Sequence, residues 1–383
     1  MNIAPFSIHV AVAVLGDLQL RLNQARFDDD DVPAPSDGHH PWRHGTSREY
    51  LRELIDDWRT RFSWAQQEAA LNQLPHFTAK VADGEQLHFI HQRARAPGAL
   101  PLLLLHGWPD SFYRYVKVLP RLGGEFDVVV PSLPGFGFTG ALDLAVREQP
   151  NRHSAELLWR LMTEGLGYRR FGVAGGDGGS ALAQILAIDH PESVVGIHLT
   201  DLGWHVNNTD PASLSRAERS YLAASKKQMM ADGAYAMVQM QAPNSLAPAL
   251  SDSPVALASW IVDRFHSWSD NDGDLDHSFS KDELLTNIMI YWITGTIGSS
   301  IASYRAEALS PSLTVASRVK VPVAMALFPK DIGGIPPRAF AERTVNVQRW
   351  TEMPRGSHLA ALEEPALYAA DVSAFFKDSA LHA

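Results

Sequence analysis

The chain is organised around residues 170–188, which read Arg-Phe-Gly-Val-Ala-Gly-Gly-Asp-Gly-Gly-Ser-Ala-Leu-Ala-Gln-Ile-Leu-Ala-Ile. The apolar run 171–174 predicts a short buried strand, and apolar residues recur at helical spacing from 181 to 188. Between them lies a cluster of glycines with Asp177 in its middle. Glycines suit a sharp turn here because the turn residue adopts strained backbone and its neighbours must leave room for strand and helix. Asp177 is therefore predicted to stand at the tip of a strand-turn-helix unit.

The segment 175–179, Gly-Gly-Asp-Gly-Gly, matches the small-x-nucleophile-x-small pattern of a nucleophile elbow. A serine that attacked an alkyl carbon would form an ether, which water cleaves poorly, whereas an aspartate would form an ester, which water can hydrolyse. Asp177 thus favours substitution at saturated carbon, either epoxide opening or carbon–halogen cleavage. The alternatives are a glycine-rich phosphate loop, for which no lysine follows, and a helix N-cap aspartate.

Composition narrows the class of protein. The 383 residues, 45% apolar and 20% charged, suffice for one large core with appendages. A net charge of −10 makes nucleic acid and anionic membranes poor partners. The absence of cysteine excludes disulfides and thiol catalysis and fits a reducing compartment. Because the sequence shows no signal peptide and no apolar run of about 18 residues, we expect a cytoplasmic protein without a membrane anchor.

The pattern of elements predicts four parts: an N-terminal meander (1–95), a first core part (96–205), a helical lid (206–311) and a second core part (312–383). In both core parts strands alternate with helices, which predicts an α/β fold with a mostly parallel sheet flanked by helices. The all-helical insertion is typical of a lid over a site at the carboxyl ends of the strands.

Within the meander, the sequence pattern predicts a first short helix near 14–22 and a helical pair over 47–72. It also predicts a hairpin over 76–93 with its turn at Asp83-Gly84. The lid predicts four helices, over 214–231, 233–241, 254–268 and 281–305.

Two further residues complete a candidate catalytic set. Asp331 and His358 each follow a predicted strand, and the chain order Asp177, Asp331, His358 is that of α/β-hydrolases. His358 would be the base, oriented by Asp331. Alone, each residue could be a loop histidine or a turn cap, and Glu352 and Glu307 are the alternative acids.

The segment His106-Gly-Trp-Pro109 follows an early strand, where this fold places half of its oxyanion hole. The predicted donors are the backbone N–H groups of Trp108 and Gly178. The alternative is an ordinary turn before a proline.

The chain resembles the microsomal-type epoxide hydrolases, which include juvenile-hormone epoxide hydrolases and bacterial relatives. The resemblance runs nearly end to end and is carried by five motifs: His106–Pro109, Gly175–Ser180, Asp252–Leu257, Asp282–Asn287 with Tyr291-Trp292, and Arg355–Pro365. It implies an α/β-hydrolase fold and an N-terminal meander that contacts the lid. The chemistry predicted for Asp177 needs no cofactor or metal.

The resemblance also implies that two lid tyrosines, Tyr235 and Tyr304, bind the epoxide oxygen. A phenol in a dry lid can hydrogen-bond to that oxygen or protonate it. From the residues alone the nine tyrosines cannot be ranked, and Tyr221 and Tyr291 are rivals. The chain departs from the family pattern where Gly178 replaces the usual tryptophan, which should enlarge the site, and where Asp331 replaces a frequent glutamate.

The function predicted from these residues is hydrolysis of a small apolar epoxide by water to a vicinal diol through an ester on Asp177. The alternatives are a haloalkane dehalogenase, disfavoured because Gly178 has no side chain to bind halide, and a catalytically silent ligand-binding protein. An ester hydrolase using Ser180 is remote because Ser180 lies inside the helix. The assembly state is left open, with a homodimer as one option.

Overall fold

The computed structural model describes residues 1–27, 41–81, 85–95, 97–140, 149–203, 210–314 and 316–378. These residues form one nine-stranded sheet with helices around it. The strands are β1 (Asn2–Pro5), β2 (His76–Lys80), β3 (Gln86–Gln92), β4 (Pro101–Leu105), β5 (Asp127–Pro131), β6 (Phe171–Gly175), β7 (Val194–Leu199), β8 (Val319–Leu327) and β9 (Val345–Glu352).

Helices precede, follow and interrupt this sheet. Those outside the insertion are α1 (Val12–Asn23), α2 (Arg48–Thr60), α3 (Trp64–Leu71), α4 (Leu119–Leu122), α5 (Pro150–Arg160), α6 (Gly178–Asp189), α13 (Arg338–Ala341), α14 (Ala360–Glu363) and α15 (Pro365–Phe376). Those between β7 and β8, which we call the helical insertion, are α7 (Arg216–Asp232), α8 (Ala234–Gln241), α9 (Pro243–Asp252), α10 (Pro254–Ser267), α11 (Lys281–Thr294) and α12 (Ile297–Leu309).

The sheet order is β1-β2-β3-β5-β4-β6-β7-β8-β9, and the six strands from β4 to β9 are parallel. The mostly parallel sheet predicted from the sequence is confirmed. Strands buried on both faces read as continuous apolar runs, as in Leu102–Leu105, whose side chains are all fully buried. Because β4 lies between β5 and β6, the chain leaves β4 on one side and returns on the other. This switch point places the loops after β4 and β6 side by side.

The part of the chain before β4, which we call the leading segment, extends the sheet at one edge. β2 and β3 form the predicted antiparallel hairpin, with Phe77 opposite Phe89, and β3 pairs antiparallel with β5. The predicted turn at Asp83-Gly84 lies outside the described residues. β1, which pairs with β2, was not predicted, because its four residues are largely exposed and carry no alternating apolar pattern.

The helical insertion corrects two predictions. The run 281–305 is not one helix: α11 ends at Thr294, and the C-cap residue Gly295 has a φ of +65°, in the left-handed region that suits glycine. α12 then starts at a bend of 87°. The sequence reading also missed α9, which begins at Pro243 in the first turn, where proline is tolerated.

The leading segment holds the insertion in place through polar contacts. Arg21 Nη1 lies 2.6 Å from Asp252 Oδ1, the Tyr50 hydroxyl donates to Asp276 Oδ1 at 2.7 Å, and Thr46 Oγ1 donates to a carbonyl of α10 at 2.7 Å. Among the described helices none is by itself long and apolar enough for a bilayer crossing, and only α11 with α12, taken together across their bend, meets both criteria.

Candidate active site

Asp177 stands at the tip of the turn between β6 and α6. Its φ of 57° and ψ of −128° are strained for a residue with a side chain, and such strain is concentrated at functional sites. The turn is closed by glycines. A Cβ on Gly179 would lie 2.0 Å from the Leu105 carbonyl oxygen, and one on Gly107 would lie 2.2 Å from Asp177 Oδ1. Small residues are therefore needed at these positions because the loop after β4 and the turn after β6 approach each other closely.

The Asp177 carboxylate is held by donors on several sides. The Trp108 N–H donates to Oδ1 at 2.9 Å, and the Gly178 N–H also bonds the carboxylate. His358 Nε2 lies 3.1 Å from Oδ2. Burial raises the pKa of Asp177, but hydrogen bonds and charge from His358, Trp108 and Gly178 outweigh it, so the pKa is lower than usual. The lowered pKa favours the ionised form of the carboxylate.

His358 and Asp331 reach Asp177 from the ends of neighbouring strands. Asp331 follows β8, His358 follows β9, and the two strands are parallel partners. His358 Nδ1 lies 3.0 Å from Asp331 Oδ2. Burial lowers the pKa of His358, yet the two carboxylates raise it overall to about 10. The alternative acids lie elsewhere, since Glu307 accepts hydrogen bonds from Ser312 and Glu352 is exposed at the end of β9.

Two tyrosines of the helical insertion pack around Trp108. The ring of Tyr235 stacks on Trp108 at 5.5 Å between centroids and 4° between planes, and Tyr304 meets Trp108 edge-on at 5.9 Å. Burial raises the pKa of both phenols, and the charge of Asp177 adds to the rise, so both remain protonated donors near that carboxylate. The rival Tyr291 instead donates to the Asp110 carbonyl at 2.6 Å, and Tyr221 packs on Phe340.

The structure adds two neighbours that sequence reasoning missed. Trp268, at the end of α10, packs against three members of the site: His358 at 5.2 Å, Tyr235 at 5.1 Å and Trp108 at 6.2 Å between ring centroids. No local pattern marks it, because the contacts are tertiary.

Asp201, after β7, is the other missed residue. Its Oδ2 accepts the Asp177 N–H at 2.7 Å and the Ser180 hydroxyl at 3.1 Å. Burial raises the pKa of Asp201 to about 6, with Asp331 adding to the rise and the charge of His358 opposing it. Its position at a strand end on the same sheet edge is the signal that could have found it.

The described residues contain no group of three or more histidine, aspartate or glutamate side chains arranged to hold a metal ion. The acids of the site are instead committed to His358 and to backbone N–H groups. What the arrangement can do is present an ionised carboxylate, a histidine paired with an acid, and two phenols to one small space.

Comparison with known proteins shows the family to which the chain belongs. Residues 3–115 match the family described as "Epoxide hydrolase N terminus", and residues 101–236 match the alpha/beta hydrolase fold. Epoxide hydrolase 1 of Sus scrofa is 32% identical across 98% of this chain and 88% of its own length. The chain belongs to the epoxide hydrolase family. The resemblance stated from the sequence motifs is confirmed.

Solved structures of the family agree with the fold. The epoxide hydrolase of Aspergillus niger has 28% identity and a TM-score of 0.85, over 98% of this chain and 96% of that one. The juvenile hormone epoxide hydrolase of the silkworm Bombyx mori has 25% identity and a TM-score of 0.86, over 97% and 93% of the two chains. The predicted α/β-hydrolase fold is confirmed.

Proposed function

We propose that this enzyme hydrolyses an apolar epoxide to a vicinal diol through a covalent ester on Asp177, with water as the other substrate and without a cofactor. The observation that carries the proposal is the position of the Asp177 carboxylate, held between the Trp108 N–H and His358. A carboxylate at an elbow forms an ester with alkyl carbon that a neighbouring base can then hydrolyse.

In the first half-reaction an Asp177 oxygen attacks one epoxide carbon and the bond from that carbon to the ring oxygen breaks. Tyr235 and Tyr304 donate hydrogen bonds to the ring oxygen, and one phenol gives it a proton as charge develops. The product is a hydroxyalkyl ester on Asp177. Both phenols suit this task because burial raises their pKa and keeps them protonated until that moment.

Formation of the ester changes the charge around His358. In the free site the ring lies between two carboxylates, which favour its protonated form. Esterification removes the negative charge of Asp177 and therefore one of the two causes of the raised pKa. The pKa of His358 then falls, the ring releases one proton to solvent, and the neutral ring can act as a base. The ring takes up a proton from solvent again once the Asp177 carboxylate is regenerated.

In the second half-reaction His358 takes a proton from water, and the hydroxide adds to the ester carbonyl. The N–H groups of Trp108 and Gly178, which already bond the carboxylate, stabilise the tetrahedral oxyanion. The intermediate collapses, His358 returns its proton to the departing alkoxide, and the diol leaves. Collapse leaves Asp177 as a carboxylic acid, and its proton returns to the phenolate that the first half-reaction formed. Over the whole cycle water therefore supplies both hydrogens of the diol.

We further propose that the helical insertion, with bounds near 206–311, acts as the lid that carries the tyrosines. The segment 1–95 braces it, and residues 96–205 and 312–383 form the catalytic core. An apolar substrate fits this lid because the rings of Trp108, Tyr235 and Tyr304 pack together, and both phenols lie close enough to Asp177 to feel its charge. The haloalkane dehalogenase alternative gains no support, since Gly178 offers no side-chain donor for halide.

A single turnover in heavy-oxygen water with styrene oxide tests the proposal. With enzyme in excess, the diol should carry no heavy oxygen, because its new oxygen comes from Asp177. With substrate in excess, later diol molecules should be labelled. Labelled diol already in the first turnover would indicate direct attack by water. The Asp177→Ala variant should form no diol above background, and failure of the parent to convert any of a panel of epoxides that it binds would favour a silent binding protein.

A further inference from the structure

A buried ion pair lies in the loop that carries Trp108. Asp110 and Arg114 are each 2% exposed, and Asp110 Oδ2 lies 2.5 Å from Arg114 Nε. Asp110 follows Trp108-Pro109, and Arg114 lies in the single helical turn Phe112–Tyr115. Removing two charges from water is unfavourable unless the pair is well satisfied, and apolar residues of similar size often stabilise a protein as well or better. The half-reactions described above use neither residue.

The ion pair makes contact beside three parts of the site. Asp110 Oδ1 accepts the Gly107 N–H at 2.9 Å, next to the Trp108 N–H. Arg114 Nη2 donates to the main-chain carbonyl of His358 at 2.8 Å. Arg114 Nη1 lies against Gly176, where a Cβ would come within 2.7 Å of it. Gly176 directly precedes Asp177. One ion pair therefore contacts the loop that carries the Trp108 N–H, the turn that carries Asp177 and the loop that carries His358.

The helical insertion fixes the same loop from the other side. Asn287 Nδ2 donates to the Pro109 carbonyl at 2.8 Å, and the Tyr291 hydroxyl donates to the Asp110 carbonyl at 2.6 Å. The backbone of the loop is therefore hydrogen-bonded to α11. The charged side chain of Arg114 instead contacts the turn after β6 and the loop after β9. The His358 carbonyl depends on Arg114, which reaches it across 244 positions of sequence.

We propose that Asp110 and Arg114 are positioning residues for ester hydrolysis, the second half-reaction of the proposed function on which this inference rests. They orient His358 and the Trp108 N–H, the base and an oxyanion donor of that step. Alkylation depends on the Asp177 carboxylate and on phenols carried by α8 and α12, whereas the contacts of the ion pair go to the Gly107 N–H, the His358 carbonyl and Gly176. Loss of the pair should therefore slow hydrolysis of the ester more than its formation.

The geometry also requires arginine rather than a simple positive charge. The guanidinium uses Nε toward Asp110, Nη2 toward the His358 carbonyl and Nη1 toward Gly176. A lysine ammonium is a single point donor and cannot span these directions. Arg114→Lys should thus retain the charge and lose the positioning.

The test is rapid-quench kinetics with styrene oxide, in which mass spectrometry of Asp177 follows the ester. The variants are Arg114→Lys, Arg114→Gln and the double variant Asp110→Asn with Arg114→Gln, which leaves no unpaired buried charge. We expect each folded variant to hydrolyse the ester at least tenfold more slowly, with alkylation within about threefold of the parent, so that ester accumulates. The control is Arg349→Gln. In the parent, Arg349 Nη2 lies 2.6 Å from Oδ1 of the buried Asp371, outside the site. Loss of this ion pair should leave the rates of both steps unchanged.

The double variant decides the matter if Arg114→Gln does not fold. A folded double variant that accumulates no more ester than the parent would overturn the inference, as would equal slowing of both steps, which indicates general loss of structure. A double variant that cannot fold, beside a folded Arg114→Lys with parental kinetics, would also overturn it. If the parent forms no ester with any epoxide, the proposed function itself fails, and that result is distinguishable because it requires no variant.

Discussion

His358 presents its two ring nitrogens to two carboxylates, with Nε2 3.1 Å from Asp177 Oδ2 and Nδ1 3.0 Å from Asp331 Oδ2. The base of the proposed second step therefore rests, before substrate binds, on the nucleophile of the first. This arrangement stabilises both charged groups in the free enzyme. Under the proposed mechanism, covalent capture of the substrate on Asp177 frees the ring to act on water.

Replacement of His358 should separate the two half-reactions. The His358→Gln variant retains Asp177 and both tyrosines, so alkylation should continue, whereas hydrolysis should slow by about 10²–10⁴ because the base is lost. Intact-mass analysis after incubation with styrene oxide should show one adduct, located on Asp177 by peptide mapping. Absence of the adduct, although the parent turns over, would assign His358 another role.

Loss of either phenol should slow the alkylation step. Tyr235→Phe and Tyr304→Phe each remove one donor to the epoxide oxygen and should lower the alkylation rate by roughly 10- to 1,000-fold. The control Tyr168→Phe removes a hydroxyl that bonds Asp127 outside the site and should leave this rate near the parent's. The lid assignment is wrong if both variants alkylate at the parental rate.

The charge pairing predicts how stability depends on pH. Because the pKa of His358 is raised to about 10, its contribution to folding stability is complete below the unfolded value of about 6.5 and is lost as the pH rises through about 10. The pKa of Asp177 is lowered, so its contribution is present above about 3.8 and is lost as the pH falls. The melting-temperature difference between the parent and His358→Gln should shrink from pH 6.5 to pH 10. Growth of this difference with pH would contradict the assigned charge states.

Asp201 should affect activity through its hydrogen bond to the backbone of Asp177. Asp201→Ala removes the acceptor of the Asp177 N–H and of the Ser180 hydroxyl, and a buried donor left unpaired costs about 1–3 kcal/mol. We expect a lower melting temperature and a kcat reduced about tenfold. Asp201→Asn keeps an acceptor oxygen and should retain more activity. Equal kcat values for the two variants would show that the acceptor is irrelevant to turnover.

Gly178 should determine the size of substrate that the site admits. Among the described residues, a Cβ built on Gly178 meets only the Gly107 Cα, at 3.8 Å, so the position has room for a Cβ. Gly178→Ala should behave like the parent, whereas Gly178→Trp should place an indole beside Asp177. We expect kcat/KM for epoxides substituted on both carbons to fall about tenfold or more, and that for a small terminal epoxide to change less. Equal changes for both substrate classes would refute a role in selectivity.

Features of the chain that are set locally could be read from the sequence. The elbow around Asp177 follows from an apolar run, a glycine cluster and a helical period, all within 19 consecutive positions. Asp331 and His358 were found because parallel strands end at one edge of the sheet, so residues after successive strands converge. Chain order and periodicity were sufficient for these features.

Other features were decided only by the tertiary structure. Periodicity could not show that the run 281–305 breaks at Gly295, because the run is apolar on both sides of the bend. Periodicity alone could not choose Tyr235 and Tyr304 from nine tyrosines, since a phenol near Asp177 and one in the core have the same helical spacing. The family resemblance selected these two, and the structure shows their packing on Trp108. The contacts of Trp268 with the His358 ring and of Arg114 with the His358 carbonyl join distant segments. Such contacts leave no local pattern, because they depend on which faces of separate elements meet when the core is buried.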